Sequence, residues 1–444
     1  MKQILWFRRD LRIEDNAILA HAQGEVFPLF IFDQNILEKL DAKDKRVTFI
    51  YQSVLNLKKE LQKIGLNLAI FYDKPEAVFQ RLKEKFDEIL CSIDHDNYAK
   101  VRDKNIEKII PLKRFNDAFL IDPQEHLNKS HLPYKVFTPF YNSLFYLWES
   151  HKIKTLSPAN NLQLHDFNYE HVPSLEAMGL KKQILPEFLE QKAEVLLEKF
   201  TSKLTAYQKE RDFFSLDAST KLSVHLRFGL LSAKQFFNAL RPYQASEAVI
   251  RQLFFREFYN YLLYHFPHSQ FENQKPLKIK FLNNQEDFKK WCQGETGVPI
   301  VDAGMRHLNQ TGLMHNRLRM VVSSYLTKNL LIDWRWGEAY FAKKLLDYEA
   351  SSNIASWQWA SSTGSDSVPY FRIFNPYLQS EKFDKEGIFI KSVLTELSQL
   401  DPKLFHKENG VQSNLFINYP SQIVSIKMSR LRAIEAFKQA KSKP

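Results

Sequence analysis

Four short apolar runs fall within the first 93 residues: QILWF (3–7), VFPLFIF (26–32), LNLAIFY (66–72) and DEILCSI (87–93). Each is apolar almost throughout rather than alternating, as a strand covered on both faces must be. Between the second and third lies RVTFIYQSVLNLKKELQKIG, and between the third and fourth PEAVFQRLKEKF, both with helical period. Buried strands separated by helices pair in parallel through crossovers, so the chain opens on a doubly wound parallel α/β domain. No GxGxxG follows any run, so the usual dinucleotide fingerprint is absent.

The pattern then changes twice. From 126 to 195, Pro, Asn and His recur in HLNKSHLPYKVFTPF and LSPANNLQLHDFNYEHVPS, and periodicity fades into an interdomain linker. From 196 to 444 it is nearly all helical, which predicts an all-α domain. The expected division is therefore 1–125, 126–195 and 196–444. The chain carries 62 Lys and Arg against 51 Asp and Glu, a balance of +11 that favours a polyanionic partner, nucleic acid above all. Two cysteines, Cys91 and Cys292, argue against a disulfide framework, a zinc site or a four-cysteine cluster and fit the reducing cytoplasm. The N-terminus meets charge too early for a secretory leader, and no apolar run approaches the ~20 residues of a membrane span. His315 has no second ligand at metal spacing, so no metal is expected.

Four segments of the helical region carry candidate chemistry. Ser219, Thr220, Lys221, Leu222 and Ser223 place three hydroxyls and an amine ahead of a helix. On sequence alone that arrangement reads first as a plain helix cap, and second as a site for a phosphate group. In RQLFFREFYNYLLYHFPH (251–268), Gln252, Phe255, Arg256 and Tyr259 share a face that could stack on and hydrogen-bond a base, or simply pack in a core. In the segment 297–341, Asn316 and Met320 share a helix face, and an apolar helix carrying Arg317 and Arg319 either buries an ion pair, with Asp347 a candidate partner, or faces a ligand. Last, SNIASWQWASSTG (352–364) sets two of seven tryptophans among small residues, which leaves room for something large and flat.

Together these segments resemble the photolyase/cryptochrome family over almost the full length. WFRRDLRIEDN (6–16), TGVPIVDAGMRHLNQTGLMHNRLRM (296–320) and WQWASSTGSDSVPYFRIFNP (357–376) carry the resemblance, which is nearest to the class I cyclobutane pyrimidine dimer photolyases. The resemblance implies an α/β domain, a linker and a helical FAD-binding domain. It also implies a light-driven lyase that flips a dimer out of UV-damaged DNA and gives it an electron from FADH⁻. By matching position, Asn353 faces flavin N5, Trp357 and Trp334 are the inner and middle members of an electron relay, and Phe281 takes its outer place. Tyr207, the run 219–223, Arg256, Asn316, Arg319, Asp347, Glu349 and Asn353 are matched to the FAD site. Arg211, Gln252, Phe255, Tyr259, Asn316, Arg317, Met320 and Trp359 are matched to DNA and lesion contacts. No membrane and no second copy of the chain are implied.

Three departures from the family pattern matter. The lesion helix reads Gln252-Leu253-Phe254-Phe255-Arg256-Glu257-Phe258 where Glu-Leu-x-Trp-Arg-Glu-Phe is usual, so an amide replaces a carboxylate and a phenyl ring an indole. Animal (6-4) photolyases also carry Gln there, but with histidines where this chain reads MHNRLRM. Phe281 stands where the outer relay residue is usually Trp, which predicts a weaker relay or an exit through a nearby Tyr or Trp336. DHDNYAKVRD (94–103) lacks the Asn-Glu pair of folate-type enzymes, leaving folate, deazaflavin, flavin or no antenna open. The rival readings are a cryptochrome-like blue-light receptor, a (6-4)-type preference, or a nucleic-acid-binding protein without repair. Plant cryptochromes place Asp where this chain has Asn353, which leans towards repair.

Overall fold

The computed structural model describes residues 1–144, 153–165, 169, 171–414 and 417–441. The chain forms two compact units, one of residues 1–205 with 220–267, the other of 206–219 with 268–444. These units cut the chain at places other than 125 and 195.

The first unit is built on a parallel sheet. Its strands are β1 (Lys2–Phe7), β2 (Glu25–Asp33), β3 (Ala69–Asp73), β4 (Glu88–Ser92) and β5 (Leu112–Phe115), in the order β3-β2-β1-β4-β5. The four apolar runs are β1 to β4, and the doubly wound class read from them holds. β5 has the sequence LKRF, too short and too polar on one face to stand out. A sixth strand, β6 (Gln163–Leu164), adds two residues beside β2 from within the expected linker. Strand order reverses between β1 and β4, a topological switch point at the carboxyl ends of the strands. There Arg9 pairs with Asp94 at 2.8 Å, Arg8 with Asp103 at 2.8 Å, and Asp96 caps the helix Asn97–Glu107. The helix Glu247–His265 belongs to this unit. Its C-terminal end is held by His265, which meets the Pro123 carbonyl at 2.8 Å, and by Tyr264, edge-on to His95 at 5.0 Å.

The second unit is helical in its described residues. Its core is centred on Trp291, Trp334 and Trp357, all buried. Pro299 opens the helix Pro299–Thr311, and Gly312, in the left-handed region at φ 76°, ends it. The next helix, Asn316–Ser324, runs into a π-helical turn, Tyr325–Asn329, which carries the buried Lys328. The helices Trp334–Lys344 and Ala350–Ser361 pack together and carry Trp334, Asn353, Trp357 and Trp359.

Candidate active site

The stretch that is odd in sequence becomes the helix Ala350–Ser361. Side chains two apart on a helix diverge, so Trp357 enters the core at 2 % exposure while Trp359 stays half-buried. Gln358 between them is buried. Its amide donates to the Ser269 carbonyl at 2.7 Å and the Glu272 carbonyl at 3.1 Å, and accepts from Gln274 N–H at 2.9 Å. The helix ends against Lys328, whose Nζ donates to Ser362 Oγ at 2.8 Å and lies 3.6 Å from the Phe437 ring. Burial pushes that amine well down from the usual lysine range. Gly337 completes the fit, because a Cβ there would run into the Trp357 ring.

Asn353 lies one turn before Trp357. Its Nδ2 donates to the Glu338 carbonyl at 3.2 Å and to Glu338 Oε1 at 2.9 Å. Both amide protons are thereby engaged, which fixes the amide and leaves Oδ1 as its remaining acceptor. Burial raises the Glu338 carboxyl against the lowering bonds from Asn353 and Tyr348. Glu338 was not singled out in sequence; its one signal was a lone carboxylate in the aromatic stretch WRWGEAYF. Glu349 is buried just before the helix and accepts from Ser352 Oγ at 3.1 Å.

Arg319 and Asp347 do meet. The guanidinium reaches both carboxylate oxygens, at 2.8 and 3.0 Å, and its Nε donates to the Met314 carbonyl at 2.9 Å. Arg317 is tied to Asp212 at 2.7 Å and lies 4.8 Å from the Phe383 ring. Arg211 lies 5.8 Å from the ring of buried Tyr207, whose phenol burial pushes up. Asn316 is exposed and Met320 half-buried. Trp334 is fully buried, its Nε1 donating to Asn273 Oδ1 at 2.8 Å, and Phe281 is half-buried.

The hydroxyl run, whose residues 220–223 belong to the first unit and Ser219 to the second, does not cap a helix. The helix after it, Ser223–Arg227, is five residues long, and no side chain caps it at Leu222. The unit's capping box sits later, at Ser232 and Gln235. Ser219 and Ser223 are exposed, and Lys221 is held at φ 56°. The face of Glu247–His265 is also now defined. Phe255 stacks on Phe137 with centroids 3.6 Å apart and planes 9° apart, and Tyr259 follows at 6.1 Å. Gln252 is half-buried, with a contact to the Ala248 carbonyl of 3.5 Å, too long to fix its amide. Arg256 donates to the Ala118 carbonyl at 2.7 Å and lies over Phe119.

Residues 3–158 match the family model described as DNA photolyase, and residues 249–439 the one described as FAD binding domain of DNA photolyase. The deoxyribodipyrimidine photo-lyase of Alkalihalophilus pseudofirmus is 34% identical over 476 aligned positions, covering 98% of this chain and 97% of the relative. The chain belongs to the DNA photolyase family. As a photolyase-family chain it also superposes on solved members. A class III photolyase from Agrobacterium tumefaciens gives a TM-score of 0.87 at 31% identity, covering 100% of this chain and 98% of its own. An archaeal photolyase from Sulfolobus tokodaii, described with two FAD molecules, gives 0.85 at 33%, covering 99% and 100%. The side chains of this photolyase-family member suit a flavin. Asn353 offers a fixed amide acceptor, Arg319 and Asp347 a polar pair, and Gly337 and the small residues around Trp357 a packed aromatic wall. The exposed hydroxyls near Lys221 are free of any capping duty, as a phosphate site requires.

Proposed function

We propose that this chain repairs cyclobutane pyrimidine dimers in UV-damaged DNA, acting as a deoxyribodipyrimidine photo-lyase. The Asn353–Glu338 arrangement, inside a domain of the FAD-binding family, carries this reading. When bound, reduced FAD supplies the light absorption and the electron that opens the cyclobutane ring, and recovers that electron afterwards, so no net redox change occurs. Asn353, oriented by Glu338, would present Oδ1 to the isoalloxazine edge at N5. Arg319, Asp347, Asn316 and Glu349 would line the same ring system. Tyr207, Ser219, Thr220, Lys221, Leu222, Ser223 and Arg256 would hold the rest of the cofactor, its phosphates above all. Trp357 and Trp334 would serve as the inner and middle members of a relay that keeps the flavin reduced.

Arg211 and Arg317 meet DNA phosphates, so affinity falls as salt rises. Phe255, backed by Phe137, offers its ring to a flipped base. Gln252, Tyr259, Met320, Asn316 and Trp359 complete the lesion contacts. Gln252 also favours a second reading, a (6-4)-type preference, because an amide rather than a carboxylate faces the base. The protein works as a cytoplasmic monomer without a metal. Its two free cysteines suit a reducing compartment. Among the described residues no group of His, Cys, Asp or Glu is placed to hold an ion, and no helix is long and apolar enough to cross a membrane.

The test is a duplex carrying one defined thymine dimer, mixed with the reduced holoprotein and split between blue light and darkness. Intact thymines returning only in the light support the reading. Equal outcomes in light and dark overturn it. The absorption spectrum of the same preparation separates a folate, deazaflavin or second flavin antenna from none.

A further inference from the structure

The expected relay runs from Trp357 through Trp334 towards Phe281, a ring too hard to oxidise to pass an electron on. The core holds another line of rings. Trp357 meets Trp291 edge-on with centroids 6.1 Å apart, and Trp291 meets Tyr340 edge-on at 5.8 Å. Rings at such separations touch at their edges, so electronic coupling along the line is strong. Trp291 is completely buried and donates its Nε1 proton to the Val322 carbonyl at 3.1 Å. A carbonyl cannot take that proton, so an oxidised Trp291 stays a radical cation able to pull in the next electron. Tyr340 is half-buried, with Oη donating to Asn309 Oδ1 at 2.6 Å and lying 3.0 Å from the Cys292 carbonyl. The phenol therefore starts neutral and can release its proton only on oxidation.

We propose that Trp357, Trp291 and Tyr340 form an electron relay that ends on a tyrosine. The proposal rests on the reading above, in which Trp357 lies beside the flavin. Trp357 gives one electron to the photoexcited oxidised flavin. Trp291 refills Trp357, and Tyr340 refills Trp291. Tyr340 loses its phenolic proton to solvent and becomes a neutral tyrosyl radical. A small thiol returns that radical to phenol by supplying one electron and one proton. The balance is one electron onto the flavin and one from the thiol.

The test is flash excitation of the holoprotein with its FAD oxidised, following radical absorption bands in wild type, Tyr340→Phe and Trp291→Phe. In wild type, an indole radical cation should decay as a tyrosyl radical rises, with the flavin still reduced. Tyr340→Phe keeps the ring and the packing, and should lose the tyrosyl band. Trp291→Phe should lose it too, with faster return of the electron to Trp357. A tyrosyl band of unchanged size in Tyr340→Phe overturns the relay. So does a wild-type protein that forms an indole radical but no tyrosyl radical. Repair by chemically reduced wild type, which needs no relay, reads the functional proposal separately.

Discussion

Two helices of the proposed site are prepared in opposite ways. On Ala350–Ser361 the polar side chains are fixed before any ligand arrives: Asn353 by two bonds to Glu338, Gln358 by three bonds to the segment 269–274. On Glu247–His265 the recognition face is left loose, with Gln252 at 3.5 Å from its nearest partner and Phe255 held only by ring stacking. Electron transfer rewards groups set in advance, because no reorganisation is then needed at the moment of reaction. A face that meets a flipped base can be ordered by that base. The difference teaches where substitution costs stability and where it costs only affinity.

Gln358→Leu should break this contrast most severely. It strands two carbonyls and one N–H, each costing about 1–3 kcal/mol, so roughly 4 kcal/mol should vanish in denaturant unfolding. A loss under about 1 kcal/mol would mean the fixed helix is not held by that network. Beyond that face the loose helix has firm points, among them His265 at the Pro123 carbonyl and Tyr264 against His95. Burial pushes the His95 imidazole down from 6.5 to about 4. The unfolded chain takes up that proton first as pH falls. The stabilisation is therefore full above pH 6.5 and drains towards pH 4, by about 3 kcal/mol. His95→Gln should flatten that acid limb of an unfolding-against-pH curve.

Arg319→Met leaves the Asp347 carboxylate unpaired in the fixed unit and should cost about 3 kcal/mol, with weaker flavin retention on gel filtration. Glu338→Ala frees the Asn353 amide without touching the lesion face. It should lower light-driven repair about 100-fold while dark binding of damaged DNA is unchanged. Gln252→Ala should do the reverse on a small scale, losing about fivefold in dark affinity for a dimer duplex with no change in unfolding. If Gln252→Ala proved as destabilising as Gln358→Leu, the distinction between the helices would fall.

The sheet was legible because strands covered on both faces must be apolar throughout, and β1 to β4 are. β5 was not, because LKRF is short and polar on one face. Asn353 and Trp357 are four apart in sequence, and the helix Ala350–Ser361 puts them one turn apart. The helical spacing read elsewhere in the chain reports only which residues share a face. It could not show that Asn353 meets Glu338, 15 residues back, or that Gln358 meets Ser269, 89 back, since periodicity reports faces of one element and not which distant groups meet. The hydroxyl run 219–223 looked more like a cap than a phosphate site. Only the short, uncapped helix after it removed the first choice. Trp291 and Tyr340 carried no signal of their own, because an aromatic residue in a helical pattern reads first as core.

The lesion assigned to this chain is the cyclobutane pyrimidine dimer. Reduced holoprotein should be given cyclobutane thymine dimers and (6-4) photoproducts side by side, under blue light, with product formation followed for both. The expected result is light-dependent loss of the cyclobutane dimer while the (6-4) photoproduct persists. Faster repair of the (6-4) photoproduct, or no repair of either by a flavin-loaded protein, would contradict it.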